Sequence, residues 1–462
     1  MIVLEDKHCL DKYATVADKV KGVQTIVIWN DVGEDRTELP GGQRVVSWDK
    51  FKIEGENSGE DLEGRMTKIK SGHCCALIYT SGTTGMPKAV MVSHDNIYFE
   101  ANTVMNLISD VVGNGQDIDG NFCHEERLIS YLPLSHVAGM MVDIICPVAL
   151  TANPKNGSYT SVAFARPYDL KIGTLKNTLQ AVQPTMFIGV PRVWEKISET
   201  MKAIGASITG AKKKVSTWGK AKGTAHWENM EMGGTGEYPC CYGLASKLVH
   251  SKVKQNLGLD KCKFGFTGAA PIMVDTLEYF GQLGIQINEV YGMSECTGAC
   301  TWSTDKAHKA GSCGFAMPGM EVVVMDMQGN ILDPAVDPKH PTEAEQGELC
   351  FRGRNIMMGY LANPELGAEH VAEIEGKTKE AIDENGWLHS GDKGCIDAQG
   401  MFRITGRERS PQLPLLPARG RLSLVLTAQG TRSSSSARAA RMSHRFRWRT
   451  SSRPEISASP TP

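Results

Sequence analysis

The sequence has no apolar run long enough to cross a bilayer: its most apolar stretch, Val137 to Leu150, is short and carries Asp143 in its middle. No charged-then-apolar leader opens the chain, so the expectation is an intracellular, cytoplasmic protein. The thirteen cysteines include no C-x-x-C pair and no neighbouring histidine pair at zinc spacing. Cys296, Cys300 and Cys313 come nearest to a cluster, and buried thiols in a reducing compartment explain them better than a metal does. The body has no excess of basic charge. The net charge is −2, yet residues 411–462 hold nine Arg against one Glu, which leaves the remainder at −10. An acidic body has no nucleic-acid footprint, and the Arg/Ser/Pro tail has too few aromatics to form a stacking platform.

What is present is ordinary globular material. A chain of 462 residues with 41% hydrophobic content buries a large core and suggests two to four domains or subdomains. "QTIVIW" and "RVVSW" read as short buried strands. Strands and helices then alternate: "CCALIY" with "SHDNIYFEANTVMNLI", "RLISYLPL" with the run from Ser135, and "PTMFIGV" with "PRVWEKISETMKAI", a helix opened by Pro191. "CKFGFTGA" and "GIQINEVYG" flank the helix "MVDTLEYFGQL". Such units predict an α/β fold with mixed, mostly parallel sheets flanked by helices. After about residue 311 the pattern turns strand-rich and Gly-punctuated, which predicts a small β-subdomain. The Lys- and Gly-rich stretch from Gly210 to Pro239 lacks apolar periodicity and reads as a solvated insertion, with a membrane-surface patch as the second reading. Residues 408–462, rich in Arg, Ser and Pro, are expected to be disordered.

Chemistry concentrates in loops. "TSGTTGMPK", Thr80 to Lys88, is built to cradle an anion: small residues expose backbone N–H groups, hydroxyls add donors and Lys88 adds a compact charge. It lacks Walker A spacing. By itself such a loop is as often a mere turn. "YGMSECTG" at 291–298 offers the aromatic plane of Tyr291, hydroxyls at Ser294 and Thr297, and the carboxylate of Glu295, a natural magnesium ligand beside phosphate oxygens. "GWLHSGDKG" places Asp392 in a turn where a carboxylate can accept from ribose hydroxyls, and "ITGRERS" supplies Arg407. Each, taken singly, also reads as a plain loop charge.

In this order the motifs resemble the adenylate-forming superfamily of acyl-CoA synthetases, luciferases and peptide-synthetase adenylation domains, from about residue 74 to residue 407. "LPLSHVAG", "GVPRVWEKI", "TGAAPI" and "GWLHSGD" are similar to long-chain fatty acyl-CoA synthetases, and the Lys-rich insertion to their bubblegum subgroup. The resemblance implies an ATP- and Mg²⁺-dependent ligase that joins a long-chain fatty acid to coenzyme A through an acyl-adenylate. It implies that Thr80, Ser81, Gly82, Thr83, Thr84, Gly85, Met86, Pro87 and Lys88 hold the β- and γ-phosphates of ATP, with Thr84 and Lys88 acting in catalysis. Gly268, Ala269 and Ala270 border the adenine, on which Tyr291 stacks. Gly292, Met293, Ser294, Cys296 and Thr297 line the nucleotide, with Thr297 near the α-phosphate or acyl carboxylate, and Glu295 ligates magnesium. Asp392 and Arg407 hold the ribose.

Two positions keep two readings. His136 either positions the acyl carboxylate and gates its channel or caps and packs a helix start; Trp194 is a core aromatic or, second, a fatty-acid contact. The expected organisation is 1–310 for the α/β AMP-binding subdomains, N-terminally incomplete, 311–407 for the β-rich subdomain, and 408–462 for a tail foreign to the family. The last lysine is Lys393. The small C-terminal domain and its catalytic lysine are therefore expected to be missing, and a catalytically silent ATP- and acyl-binding fragment stands as the alternative, beside another adenylate-forming ligase. The apolar substrate points to peripheral membrane contact, at the endoplasmic reticulum or elsewhere.

Overall fold

The protein was analysed as a computed structural model that describes residues 1–30, 37–80, 87–108, 125–152, 158–166 and 168–407. The tail beyond 407 lies outside the described residues. The chain divides into two compact units, 1–70 and 71 onward. In the first, β1 (Ile2–Leu4), α1 (Lys7–Ala14), β2 (Thr25–Ile28), β3 (Arg44–Ser47), α2 (Trp48–Glu56) and α3 (Leu62–Met66) build a parallel sheet in the order β1-β2-β3. Leu10, Ala17, Ile26, Ile28, Leu39 and Val45 form its own small core.

The second unit begins with β4 (Cys74–Thr80), β5 (Lys88–Ser93), α4 (His94–Leu107), β6 (Glu125–Ser130), α5 (Val137–Met140), α6 (Cys146–Ala152), β7 (Tyr159–Phe164), α7 (Asp169–Ile172), α8 (Leu175–Val182) and β8 (Met186–Ile188). There follow α9 (Pro191–Ala206), α10 (Gly210–Met230), α11 (Tyr242–Ala245), α12 (Ser251–Leu257), β9 (Phe264–Thr267), α13 (Val274–Gly281), β10 (Ile287–Met293), β11 (Gly298–Trp302) and β12 (Phe315–Ala316). It ends with β13 (Glu321–Met325), β14 (Gly347–Arg352), β15 (Gly359–Tyr360), α14 (Ala368–Ala381), β16 (Leu388–Ile396) and β17 (Phe402–Arg407).

The central sheet runs β12-β11-β10-β9-β8. Its β8, β9 and β10 are parallel, whereas β11 and β12 turn back antiparallel. The strand-rich region after residue 311 holds the antiparallel sheet β13-β14-β16-β17. One apolar core joins it to the central sheet, with Val322, Leu349, Phe351 and Phe402 in the same cluster as Phe264, Tyr291 and Trp302.

The sequence signals work as local physics. Ser93 caps α4 by accepting from Asn96 N at 3.1 Å while the Asn96 side chain accepts from Ser93 N at 2.8 Å, a reciprocal capping box. Pro191 opens α9, where its missing N–H has no intrahelical partner to lose. One element differs from expectation. The Lys-rich stretch read as a solvated insertion begins with a 21-residue helix, α10. Its contact face is small rather than apolar, which is why no hydrophobic period showed: Gly219 and Gly223, one turn apart, are its buried residues.

A Cβ on Gly223 would lie 2.1 Å from the Gln282 carbonyl oxygen, and one on Gly219 2.5 Å from Val249 Cγ2. Gly→Ala inside a helix is normally stabilising by roughly 1 kcal/mol. Gly223→Ala is expected to do the opposite, costing about 1–3 kcal/mol through forced displacement of backbone. A lowered unfolding midpoint in urea checks this; an unchanged midpoint would mean α10 does not dock there.

Candidate functional site

β4 and β5 form an antiparallel hairpin whose ends meet at Thr80 and Lys88. Ser81, Gly82, Thr83, Thr84, Gly85 and Met86, expected to hold the ATP phosphates, lie outside the described residues. The flanks are clear. Pro87 is exposed, Thr80 is half-buried, and its hydroxyl sits 3.5 Å from the Lys88 carbonyl oxygen. Lys88 is half-buried, and its ammonium lies 4.2 Å from the centre of the Tyr360 ring. β15 brings that ring in by pairing Tyr360 with Val90 of β5. The Tyr360 hydroxyl then donates to Glu295 Oε1 at 2.9 Å. Desolvation lowers the Lys88 pKa, and the Glu295 charge opposes that shift. Lys88, Tyr360 and Glu295 are thereby stacked beside the mouth of the hairpin.

A second cluster is tied to the same strand end. β10 carries Tyr291, and a 3₁₀ turn over Ser294–Cys296 presents Glu295. The Tyr291 hydroxyl donates to Asp392 Oδ2 at 3.0 Å, and Arg407 Nε lies 3.0 Å from Asp392 Oδ1. Asp392 lies within strand β16 rather than in the expected turn and faces Arg407 directly in the β16–β17 register, so the pair expected at the ribose is held together by strand pairing. The Tyr291 ring, expected to stack on adenine, is only 1% exposed. Burial, then the neighbouring Asp392 charge, pushes its phenol well above the ordinary range.

Gly268, Ala269 and Ala270 are half-buried and leave β9 beside the end of β10, at the carboxyl edge of the parallel strands where α/β sheets bind ligands. Ala269 holds the left-handed conformation at φ 65°. Gly292, Met293 and Ser294 are half-buried. Only glycine fits at 292, because a Cβ there would fall 1.7 Å from the Gly298 carbonyl oxygen.

Thr297 and Cys296 are turned inward. Thr297, fully buried at φ 61°, donates to the Asn355 carbonyl at 2.7 Å. The Cys296 thiol contacts the backbone oxygens of Met293 and Gly298, and Cys300 and Cys313 are buried thiols, as the sequence led us to expect.

Beneath them lies a residue that the sequence did not single out. Glu100 of α4, 2% exposed, accepts from Ala299 N at 2.7 Å and from Asn355 Nδ2 at 3.2 Å. Burial pushes its carboxyl up to about 8. Glu100 and Asn355 fix the turn that carries Glu295 and Thr297, while Tyr360 holds the Glu295 carboxylate itself. The available signal for Glu100 was a charge on the inward face of α4, in line with the buried Asn96 and Thr103.

His136 caps α5, its Nδ1 accepting from Ala138 N at 3.1 Å; desolvation lowers its pKa. Among the described residues no hydrogen bond or ion pair joins it to either cluster. Trp194 is a core aromatic, fully buried edge-on to Phe187 and Phe280. A cavity of about 850 Å³, lined by Trp227, Tyr242, Lys254 and His308 among others, lies at the opposite, amino-terminal ends of β9 and β10 and is separate from these clusters.

Residues 2–361 match the protein family described as AMP-binding enzyme. The chain belongs to the AMP-binding enzyme family. This AMP-binding chain is 43% identical over 410 residues to long-chain-fatty-acid–CoA ligase ACSBG2 of Gallus gallus, covering 88% of this chain and 47% of the relative. It is 34% identical over 408 residues to long-chain-fatty-acid–CoA ligase ACSBG1 of Homo sapiens, covering 88% and 50%. It spans about half the length of the curated relatives it matches. Solved structures with the same fold include McyG A-PCP complexed with phenylalanyl-adenylate (TM-score 0.54, 19% identity, 88% of this chain and 60% of that one). Another is o-succinylbenzoate CoA synthetase from Bacillus subtilis bound with its product analogue (TM-score 0.53, 17% identity, 88% and 63%).

Proposed function

We propose that this AMP-binding chain acts in an ATP-dependent long-chain fatty acid:CoA ligase reaction. A fatty acid carboxylate attacks the α-phosphorus of ATP, giving acyl-adenylate and pyrophosphate; the coenzyme A thiol then attacks the acyl carbon and releases AMP. The observation that carries this reading is the stack of Lys88, Tyr360 and Glu295 beside the β4–β5 hairpin. It would offer one cation and one carboxylate to a triphosphate held by the hairpin, which needs both. The likeness to the two curated ligases supports the choice of fatty acid and coenzyme A.

The residues divide the work. Lys88, whose loss of basicity on burial is opposed by the Glu295 charge, would neutralise the phosphates held by residues 80–88. Asp392, aligned by Arg407 and Tyr291, would accept from ribose hydroxyls, and the Gly268–Ala270 turn would border the base. Such alignment of reactants contributes in place of a covalent nucleophile. Mg²⁺ fits Glu295: Tyr360 takes Oε1, no hydrogen bond to Oε2 is made among the described residues, and this hard cation is content with one protein carboxylate beside phosphate and water. Bound there, it would supply neutralisation of charge on the phosphate oxygens. The same reading puts the protein in the cytoplasm with peripheral contact to membranes such as the endoplasmic reticulum, because acyl substrates partition into bilayers. Among the described residues no helix is long and apolar enough to cross one.

ATP/pyrophosphate exchange with palmitate and Mg²⁺ tests the reading. Exchange should require fatty acid and fall about a hundredfold or more in Glu295→Ala. A folded protein that binds ATP yet shows no exchange would leave a nucleotide-binding fragment instead of a ligase.

A further inference from the structure

β14 and β16 run antiparallel with Cys350 and His389 directly opposite each other. Side chains alternate along a strand, so Glu348, two residues before Cys350, belongs to the same face. A register shift between Glu348 and Cys350 bends the strand there. As a result Cys350 Sγ lies 3.5 Å and Glu348 Oε2 2.8 Å from the same nitrogen, His389 Nδ1. One ligand atom from each of the three residues falls within 4.8 Å of the others.

The surroundings hold these atoms in place. Glu348 Oε1 accepts from Gly391 N at 2.7 Å, which fixes the carboxylate. On the far side of the ring, Asp383 Oδ2 stands 3.7 Å from His389 Nε2. Asp383 is itself fixed, its Oδ1 accepting from Asn385 N at 2.9 Å and Trp387 N at 2.8 Å. A carboxylate behind the far ring nitrogen is the usual support of a metal-binding histidine; at 3.7 Å Asp383 is an ion-pair neighbour that would close to hydrogen-bond distance when the near nitrogen turns to the metal.

We propose that Glu348, Cys350 and His389 form a site for a zinc-type divalent transition metal. Sulfur, imidazole nitrogen and one carboxylate oxygen are the donors such an ion accepts, whereas Mg²⁺ takes oxygen alone, so this site is distinct from Glu295. Bonds of about 2.0–2.3 Å in a tetrahedron put ligand atoms roughly 3.3–3.8 Å apart. The sulfur–nitrogen separation already meets this; the oxygen–nitrogen separation opens by about half an ångström. Cys350 is fully buried, while the His389 and Glu348 side chains are 30% and 23% exposed, leaving a solvent approach for a water as fourth ligand. On binding, the thiol proton and any proton on Nδ1 leave to solvent, the metal takes both lone pairs, and its oxidation state is unchanged. The ion would tie β14 to the stretch of β16 that carries Asp392, three residues beyond His389.

Cobalt(II) titration of the full, reduced chain reads this directly. One equivalent should give thiolate-to-cobalt charge transfer and tetrahedral visible bands, both bleached by zinc. Cys350→Ser should lose the charge-transfer band, and Asp383→Asn should weaken binding about 10–100-fold. Because Cys350 is buried, the half-exposed His389→Gln provides a second variant, expected to lose the tetrahedral bands with circular dichroism unchanged. The adjacent exposed thiols Cys74, Cys75, Cys240 and Cys241 are competing ligands. Changing those four to serine should leave the spectrum intact. A folded wild type without the band, a band that survives in Cys350→Ser, or one that disappears with the four surface cysteines would each overturn the assignment.

Discussion

Glu100→Gln should make the protein more stable at neutral pH, and the gain should grow with pH. The Glu100 carboxyl titrates near 8 in the fold against 4.5 as its ordinary value, because burial disfavours its charged form. Its folded pKa is thus raised. Below about pH 4.5 both states carry the proton and nothing is lost. Between about 4.5 and 8 the unfolded chain ionises while the folded chain retains its proton, so stability falls as pH rises and levels off above the folded value. At pH 7 the accumulated cost is roughly 3 kcal/mol. Glutamine keeps the neutral shape and can still accept from Ala299 N, giving up the weaker 3.2 Å contact from Asn355 Nδ2, so it removes this pH dependence. Urea unfolding from pH 5 to 9 would show wild-type and variant curves diverging by about 1.4 kcal/mol per pH unit until they run parallel. Parallel curves throughout would mean that Glu100 does not hold a proton in the fold.

Asp392→Ala should be damaging in two ways at once. It strands the buried Tyr291 hydroxyl and leaves Arg407 without its partner across the strands. A buried donor without an acceptor costs about 1–3 kcal/mol, and the half-exposed Arg407 adds less because water can solvate it. The expected loss of stability is therefore about 2–3 kcal/mol. Under the proposed function ATP affinity falls as well. Tyr291→Phe separates the two effects: it removes the donor together with its need for a partner, so stability should drop by only about 1 kcal/mol while Asp392 and Arg407 stay paired. Calorimetric unfolding and ATP titration on both variants give the comparison. Equal losses in the two would place the whole effect in the Tyr291 hydrogen bond.

Much of this was legible in the chain. β4, α4, β8, α9, β9, α13 and β10 follow from periodicity and from caps such as Ser93 and Pro191, since those cues act within a few residues. Asp392 and Arg407 were visible as a pair because each sits in a compact motif. β5 was not, because "KAVMVS" directly follows the Gly-rich loop and its apolar residues were absorbed into the approach to α4. α10 was hidden by its contact face, made of glycine. Glu100, Asn355 and Tyr360 were missed for a more general reason. Each is a single residue without a motif, and its meaning comes from a partner remote in the chain: Glu100 meets Ala299 across 199 positions and Asn355 across 255. The metal-type cluster was invisible for the same reason, since Cys350 and His389 become neighbours only through strand register.

The clamp between α4 and the segment before β15 has a kinetic consequence. Asn96 donates to the Arg354 carbonyl, 258 residues away, and that contact delivers Tyr360 to Lys88. Closing a loop of that length costs chain entropy before any contact within it repays the loss, so such pairings form late and slowly. During synthesis the hairpin and α4 leave the ribosome long before their partners exist. Lys88 and Glu295 are therefore brought together through Tyr360 only late in folding, and an immature chain lacks that assembled pair.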